Sequence, residues 1–166
     1  KDMDKMAFHK IVRGISRRPD IAYEYTNGDV EYDEIEDPLP FDINAPVVKI
    51  EDGDYALWYR DLSEDPKKYD GKTVRFLAQV YRGKDVPAGS FVPGRFGMVC
   101  CADDVTFLGF ICRYDKAEEL GVRDWVTVTA SITVETLPQY RGEGPVLHAI
   151  EVKPAEKAKD DIVYFN

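Results

Sequence analysis

The sequence predicts a mainly β protein, built as a small, partly open Greek-key barrel with one or two short helices and an N-terminal extension. Five or six strands follow one another at short spacing, and two of them, residues 73–82 and 125–134, alternate apolar and polar side chains. A brief helical turn, residues 115–121, lies between the fourth strand and the fifth. This order is typical of the oligonucleotide/oligosaccharide-binding (OB) architecture, and a plain β-sandwich is the alternative.

The N-terminal extension is predicted to comprise residues 1–45, and the barrel domain residues 46–166. Apolar positions three and four apart in residues 1–18 indicate a short basic amphipathic helix, which packs on its own domain or lies on an anionic membrane. The segment from Pro19 to Val48 contains no Lys or Arg and nine acidic residues, which account for the net charge of −9. We interpret it as a solvated connector that disfavours nucleic acid, because nucleic-acid binding requires clustered Lys and Arg.

The first elements of the barrel domain follow from local signals. Val47–Ile50 is a short apolar strand, and Asp54 is placed to cap a helical turn that ends near Pro66. Tyr69–Lys72 is a turn that opens the strand over residues 73–82. A loop rich in glycine and proline, residues 83–94, follows that strand. The remaining strands are predicted at residues 96–102, 106–113, 125–134 and 146–152, and an apolar tail at residues 162–165 is expected to dock on the domain.

The three cysteines form a candidate metal site. Cys100 and Cys101 are adjacent and do not easily bridge each other, which leaves free thiols or one bridge to Cys112. Thiolates bind zinc and copper(I), so Cys100, Cys101, Cys112 and Asp103 are the candidate ligands, with His148 as a further one. Neighbouring residues of a strand point to opposite faces, so both sulfurs reach one ion only at a bulge or a strand end. The alternative is that these small side chains fill the barrel interior.

The sequence contains few signs of catalysis. A thiol nucleophile requires a histidine beside it, and the chain has only His9 and His148. Adjacent carboxylates at Asp103 and Asp104 are more typical of a turn than of an acid–base pair. We therefore expect no enzyme activity, and no residue is predicted to be catalytic or to bind an organic cofactor.

Residues 46–166 resemble the C-terminal domain of the YcgQ-like bacterial membrane proteins, a domain of unknown function. The element Arg95-Phe96 leading into Cys100-Cys101-Ala102-Asp103 is the most specific part of the resemblance. The other matching elements are Tyr69-Asp70-Gly71-Lys72-Thr73-Val74, the strand with Gly109, Asp124-Trp125-Val126-Thr127-Val128 and Ile162-Val163-Tyr164.

The resemblance implies a two-part membrane system, in which a membrane-spanning region precedes this domain and a predicted permease is the companion protein. It thereby predicts a non-catalytic accessory domain of a bacterial transport system that binds a protein partner or a small ligand. The alternatives are a thiol-based zinc or copper domain and an OB-type nucleic-acid-binding domain. The sequence begins at Lys1 rather than at a methionine, so we expect an excised part of a longer chain. We expect the protein to associate with the membrane through a region that precedes this sequence, or to be soluble if there is no such region.

The loop after the strand at residues 73–82 is the predicted recognition site for a partner. Its candidate binding residues are Tyr81, Arg82, Phe91 and Arg95, of which Phe91 is expected to be exposed. An ordinary hydrophilic connector is the alternative interpretation of this loop. Nucleic-acid binding would use the same region, where basic and aromatic residues interleave: Arg75, Tyr81, Arg82, Lys84, Phe91, Arg95, Arg113 and Tyr114.

Overall fold

The computed structural model describes residues 39–98 and 105–165. The predicted N-terminal helix and most of the acidic segment lie outside the described residues, as do Cys100, Cys101 and Asp103. The described ranges contain one α-helix, α1 (Tyr55–Glu64), and none of their helices is long and apolar enough to cross a membrane. Their strands are β1 (Val48–Lys49), β2 (Thr73–Tyr81), β3 (Ser90–Met98), β4 (Val105–Gly109), β5 (Cys112–Arg113), β6 (Trp125–Leu137), β7 (Gly142–Pro154) and β8 (Ile162–Tyr164).

Five of these strands pair in a closed ring, in the order β2, β6, β7, β5, β3 and back to β2. Every pair in the ring is antiparallel except the β5–β7 pair, which is parallel. β1 pairs with β2 outside the ring, and β4 and β8 pair with the C-terminal half of β3. This Greek-key connectivity confirms the predicted mainly β, OB-like fold, because two separate sheets of a sandwich would not close into one ring.

Helix α1 packs its aromatic face onto the core of the ring. Its side chains at Trp58 and Tyr59 are buried, and their rings lie 4.9 Å from Phe76 and 4.8 Å from Phe110 between centroids. The predicted helical turn is thus confirmed, although Asp54 makes no side-chain capping hydrogen bond. Aromatic contacts, rather than a cap, fix the position of this helix.

The predicted loop at residues 83–94 ends at residue 89, because β3 begins at Ser90. Phe91 pairs with Cys112 on β5, and Val92 pairs with Tyr81 on β2. Pro93 has no N–H to donate, and Val80 opposite it needs none, because its own N–H donates to the Asp124 carbonyl and its carbonyl accepts from the Arg123 N–H. Burial and pairing of this stretch therefore override its local glycine and proline signals.

The predicted strand at residues 106–113 is divided into β4 and β5 in the structure. Gly109, the last residue of β4, pairs with Gly94 on β3. Near this residue β3 stops pairing with β2 and β5 and begins to pair with β4 and β8. A Cβ on Gly109 would lie 2.7 Å from Val92 Cγ1 and 2.8 Å from the Pro93 carbonyl oxygen. The two backbones come this close because neither residue carries a side chain.

The apolar tail docks on the domain as predicted. β8 pairs in parallel with β3, with Val163 opposite Gly97. Beyond it, Phe165 lies under the Arg60 guanidinium, 4.9 Å from the ring centroid. The C-terminal strand is thereby joined both to the ring and to α1.

Candidate functional site

The loop between β2 and β3, residues 82–89, is held at both ends and is named here the recognition loop. At its start, Arg82 donates two hydrogen bonds to the Leu120 carbonyl, from Nε at 3.1 Å and from Nη2 at 2.8 Å. At its end, the Gly89 N–H donates to Glu118 Oε2 at 3.0 Å, and the Gly89 carbonyl accepts from the Tyr114 N–H. These contacts tie the loop to the segment at residues 114–122.

A groove of about 400 Å³, named here the loop groove, lies between the recognition loop and that segment. Val122 is 46% exposed at its edge, and Lys84 is exposed on the loop side. The loop groove thus offers a polar rim around small apolar side chains. Its lining includes Arg82, Lys84, Val86, Pro87, Glu118 and Val122.

Three of the four predicted partner-binding residues are buried. Phe91 and Arg95 are fully buried and Tyr81 nearly so. The expectation that Phe91 is exposed is wrong, because β3 directs its ring into the core, 6.0 Å from the Tyr114 ring. Tyr81 packs 5.9 Å from Phe107 in the same way. Tyr81 and Phe91 are therefore core residues at the two ends of the loop, and Arg82 is its anchored first residue.

Arg95 joins four segments of the chain from inside the protein. Its Nη1 pairs with Asp52 Oδ1, its Nη2 donates to the Asp160 carbonyl at 2.7 Å, and its guanidinium lies over the Trp125 ring. The Nε of Arg95 is buried and has no hydrogen-bond partner among the described residues. A guanidinium in this position acts as a structural clamp, because its charge is compensated within the fold.

The predicted metal site has one ligand among the described residues, Cys112. Its thiol is buried, and desolvation raises the pKa of that thiol well above its usual range, so the protonated form prevails at neutral pH. Metals bind the thiolate, and the described ranges contain no group of three or more His, Cys, Asp or Glu side chains arranged to hold a metal. Because Cys100, Cys101 and Asp103 lie outside the described residues, zinc or copper binding stays a prediction.

His148, the further candidate ligand, belongs instead to a polar network on the sheet surface. Glu135 Oε2 accepts hydrogen bonds from Arg113 Nη1 and Thr133 Oγ1, both at 2.8 Å, and lies 3.3 Å from His148 Nε2. The hydrogen bond from Arg113 is the main cause that lowers the pKa of the Glu135 carboxyl. This network joins β5, β6 and β7 across the outside of the ring.

A second groove, of about 460 Å³, contains residues that sequence reasoning missed and is named here the Arg123 groove. Arg123 has a φ of 79°, in the left-handed region, and its guanidinium lies 4.9 Å from the Phe96 ring centroid. No local sequence signal marks an arginine in this conformation, although Phe96 and Trp125 belong to the motifs that carry the family resemblance. The groove is lined by Gln79, Phe96, Val105, Arg123, Trp125, Lys157, Asp161 and Ile162.

Three solved structures are similar to this chain at low levels. The Stn1–Ten1 complex of S. pombe matches at 16% identity with a TM-score of 0.36, over 74% of this chain and 86% of that one. Asparaginyl-tRNA synthetase from Pyrococcus horikoshii, complexed with asparaginyl-adenylate, matches at 17% identity with a TM-score of 0.35, over 55% and 20%. A replication protein A heterotrimer bound to single-stranded DNA matches at 12% identity with a TM-score of 0.29, over 52% and 59%.

The sequence comparisons identify the family. UPF0703 protein YcgQ of Bacillus subtilis (strain 168) is 20% identical over 117 residues, which are 70% of this chain and 41% of the relative. The chain thus spans less than half the length of that relative. Residues 26–165 match the DUF1980 C-terminal domain. The predicted resemblance to YcgQ-like proteins is confirmed, and the chain belongs to the DUF1980 C-terminal domain family.

Proposed function

We propose that this domain is a non-catalytic binding module and the accessory domain of a bacterial membrane transport system, with a predicted permease as its protein partner. The observation that carries the proposal is the recognition loop, which is fixed beside an open groove by hydrogen bonds at both of its ends. A loop held in this way loses little conformational entropy when a partner binds. The similarity to YcgQ supports the membrane context of the proposal.

The position of the loop in the fold also favours a binding role. It connects the first two strands of the ring, and OB folds use the loop at this place for their ligands. Fold alone does not assign function, so the proposal depends on the surface that the loop presents. That surface combines the exposed Lys84 with the apolar edge of Val122, whereas Tyr81 and Phe91 at the two ends of the loop are buried in the core.

The proposal is tested by reversing the character of the loop groove without touching the core. We expect the double substitution Lys84→Glu and Val122→Asp to lower co-purification of the companion permease from membranes by at least tenfold, since it adds carboxylates to both sides of the groove. Deletion of the loop into β3 is unsuitable, because the strand begins at Ser90 and Phe91 belongs to the core.

A matched control is available on β7, where Ile150 is 63% exposed and the Lys153 side chain 66%. The pair Lys153→Glu and Ile150→Asp makes the same two chemical changes at a distance from the loop groove. We expect permease recovery with this control to equal that of the unaltered chain. Equal recovery with both double variants would contradict the proposed role of the loop.

A further inference from the structure

The Arg123 groove has the size and the chemistry of a small-molecule site. Its volume of about 460 Å³ lies within the usual range for such sites, about 300–1,000 Å³. Phe96 and Trp125 supply aromatic surface, and buried Arg95 lies 5.1 Å from the Trp125 ring centroid and fixes that ring. The lining of the groove includes residues of β2, β3, β4, β6 and β8, and it shares no residue with the lining of the loop groove.

Among the described residues that line this groove, hydrogen-bond donors exceed acceptors. Within residues 39–98 and 105–165, no carboxylate pairs with the Arg123 guanidinium, and the Trp125 indole N–H has no hydrogen-bond acceptor. Lys157 Nζ lies 3.5 Å from Asp161 Oδ1, and their charges cancel. With Arg123, the charged side chains among the described lining residues therefore sum to +1. An anionic group is the ligand chemistry that satisfies these donors.

The strained backbone at Arg123 indicates that the arginine side chain has a role at this position. A left-handed φ of 79° is strained for arginine, and glycine would adopt it without strain. The conformation is held by the Arg123 N–H, which donates to the Val80 carbonyl at 2.7 Å. It is also held by buried Gln79, whose Nε2 donates to the Arg123 carbonyl at 3.2 Å. These contacts require only backbone atoms of residue 123, yet the side chain present there is a guanidinium over Phe96.

We infer that the Arg123 groove binds a small organic anion that carries a planar ring. The ring packs against Trp125 and Phe96, and its carboxylate or phosphate accepts hydrogen bonds from the Arg123 guanidinium and the Trp125 indole N–H. A guanidinium suits this task because its planar fork binds such anions through two hydrogen bonds. The inference does not depend on the partner proposed for the recognition loop.

The test titrates the full chain with benzoate, phenyl phosphate and neutral benzamide and follows the tryptophan indole signals by ¹H–¹⁵N NMR. The chain has two tryptophans, and Trp58 is buried in the core, so its signal is an internal control. We expect the Trp125 signal to shift on titration with benzoate or phenyl phosphate, with a dissociation constant at least tenfold lower than that for benzamide. The anion with the lower dissociation constant identifies the acid group. The inference would be overturned if the unaltered chain bound benzamide as tightly as the anions, or if it bound neither anion.

Two glycine substitutions assign the binding to Arg123. Arg141 is the other non-glycine residue with a positive φ among the described residues, at 59°, and it does not line the groove. Arg123→Gly and Arg141→Gly therefore relieve the same kind of backbone strain and remove the same charge. We expect Arg123→Gly to weaken anion binding at least tenfold and Arg141→Gly to leave it unchanged. Undiminished binding to the Arg123→Gly variant would refute the assignment.

Discussion

At the scale of single residues, the buried charge of Arg95 depends on its pairing with Asp52. The Arg95 side chain has no exposed surface, whereas the side chain of its partner Asp52 is 38% exposed. Loss of the Asp52 charge leaves a guanidinium in the interior without compensation. We predict that Asp52→Asn lowers the free energy of unfolding by about 2–3 kcal/mol, less than the about 3–5 kcal/mol of a fully buried pair, because Asp52 is partly solvated. Urea denaturation followed by circular dichroism measures the change.

The control for this prediction is an ion pair on the surface. Lys153 Nζ lies 3.5 Å from Glu151 Oε2, with side chains 66% and 49% exposed. Water screens such a pair, so we expect Glu151→Gln to change the free energy of unfolding by less than about 0.5 kcal/mol. Similar losses from Asp52→Asn and Glu151→Gln would show that burial of Arg95 does not set the strength of its pairing.

At the scale of elements, the close approach of β3 and β4 depends on Gly109. A methyl group there would lie 2.7 Å from Val92 Cγ1 and 2.8 Å from the Pro93 carbonyl oxygen, a backbone atom that shifts less easily than the end of a flexible side chain. We predict that Gly109→Ala destabilises the domain by about 1–3 kcal/mol, the usual range for overpacking. The thermal unfolding midpoint provides the measurement.

Gly53→Ala is the matched substitution for Gly109→Ala. A Cβ at Gly53 meets no atom within 4 Å, and the residue lies in a short 3₁₀ turn before α1. Alanine there is expected to be neutral or to raise the midpoint slightly, because glycine is the less favourable residue in helical backbone. If both alanine variants unfold at the temperature of the unaltered chain, the strand crossing at Gly109 is looser than its geometry indicates.

At the scale of the whole molecule, local patterns predicted single elements better than features that distant residues build together. Apolar and polar residues alternate along much of β2 and β6, and α1 has apolar residues at helical spacing, so short windows of sequence were sufficient to find them. The start of β3 was missed because the partners of Phe91 and Val92 lie on other strands. The Arg123 groove was missed for the same reason, since its lining extends from Gln79 to Ile162 along the chain.

The extent of the folding unit is decided by the same long-range packing. The predicted division between residues 45 and 46 stays a prediction, and Phe41 offers a test, because its side chain is only 8% exposed and packs in the core. We predict that a chain of residues 39–166 unfolds with the free energy of the full chain. A chain of residues 46–166 is expected to lose about 3 kcal/mol, as for removal of a buried phenylalanine.

Phe41→Ala in the chain of residues 39–166 separates the aromatic contact from the rest of the removed segment. Leu39 and Ile43 pack only partly against the core, so most of the loss belongs to Phe41, and its substitution alone should reproduce it. Equal stability of the two truncated chains would place the boundary after residue 45, and the burial of Phe41 would then add nothing to folding. A loss with both the shorter chain and Phe41→Ala would place the start of the folding unit before Phe41, because a domain must include the side chains that complete its core.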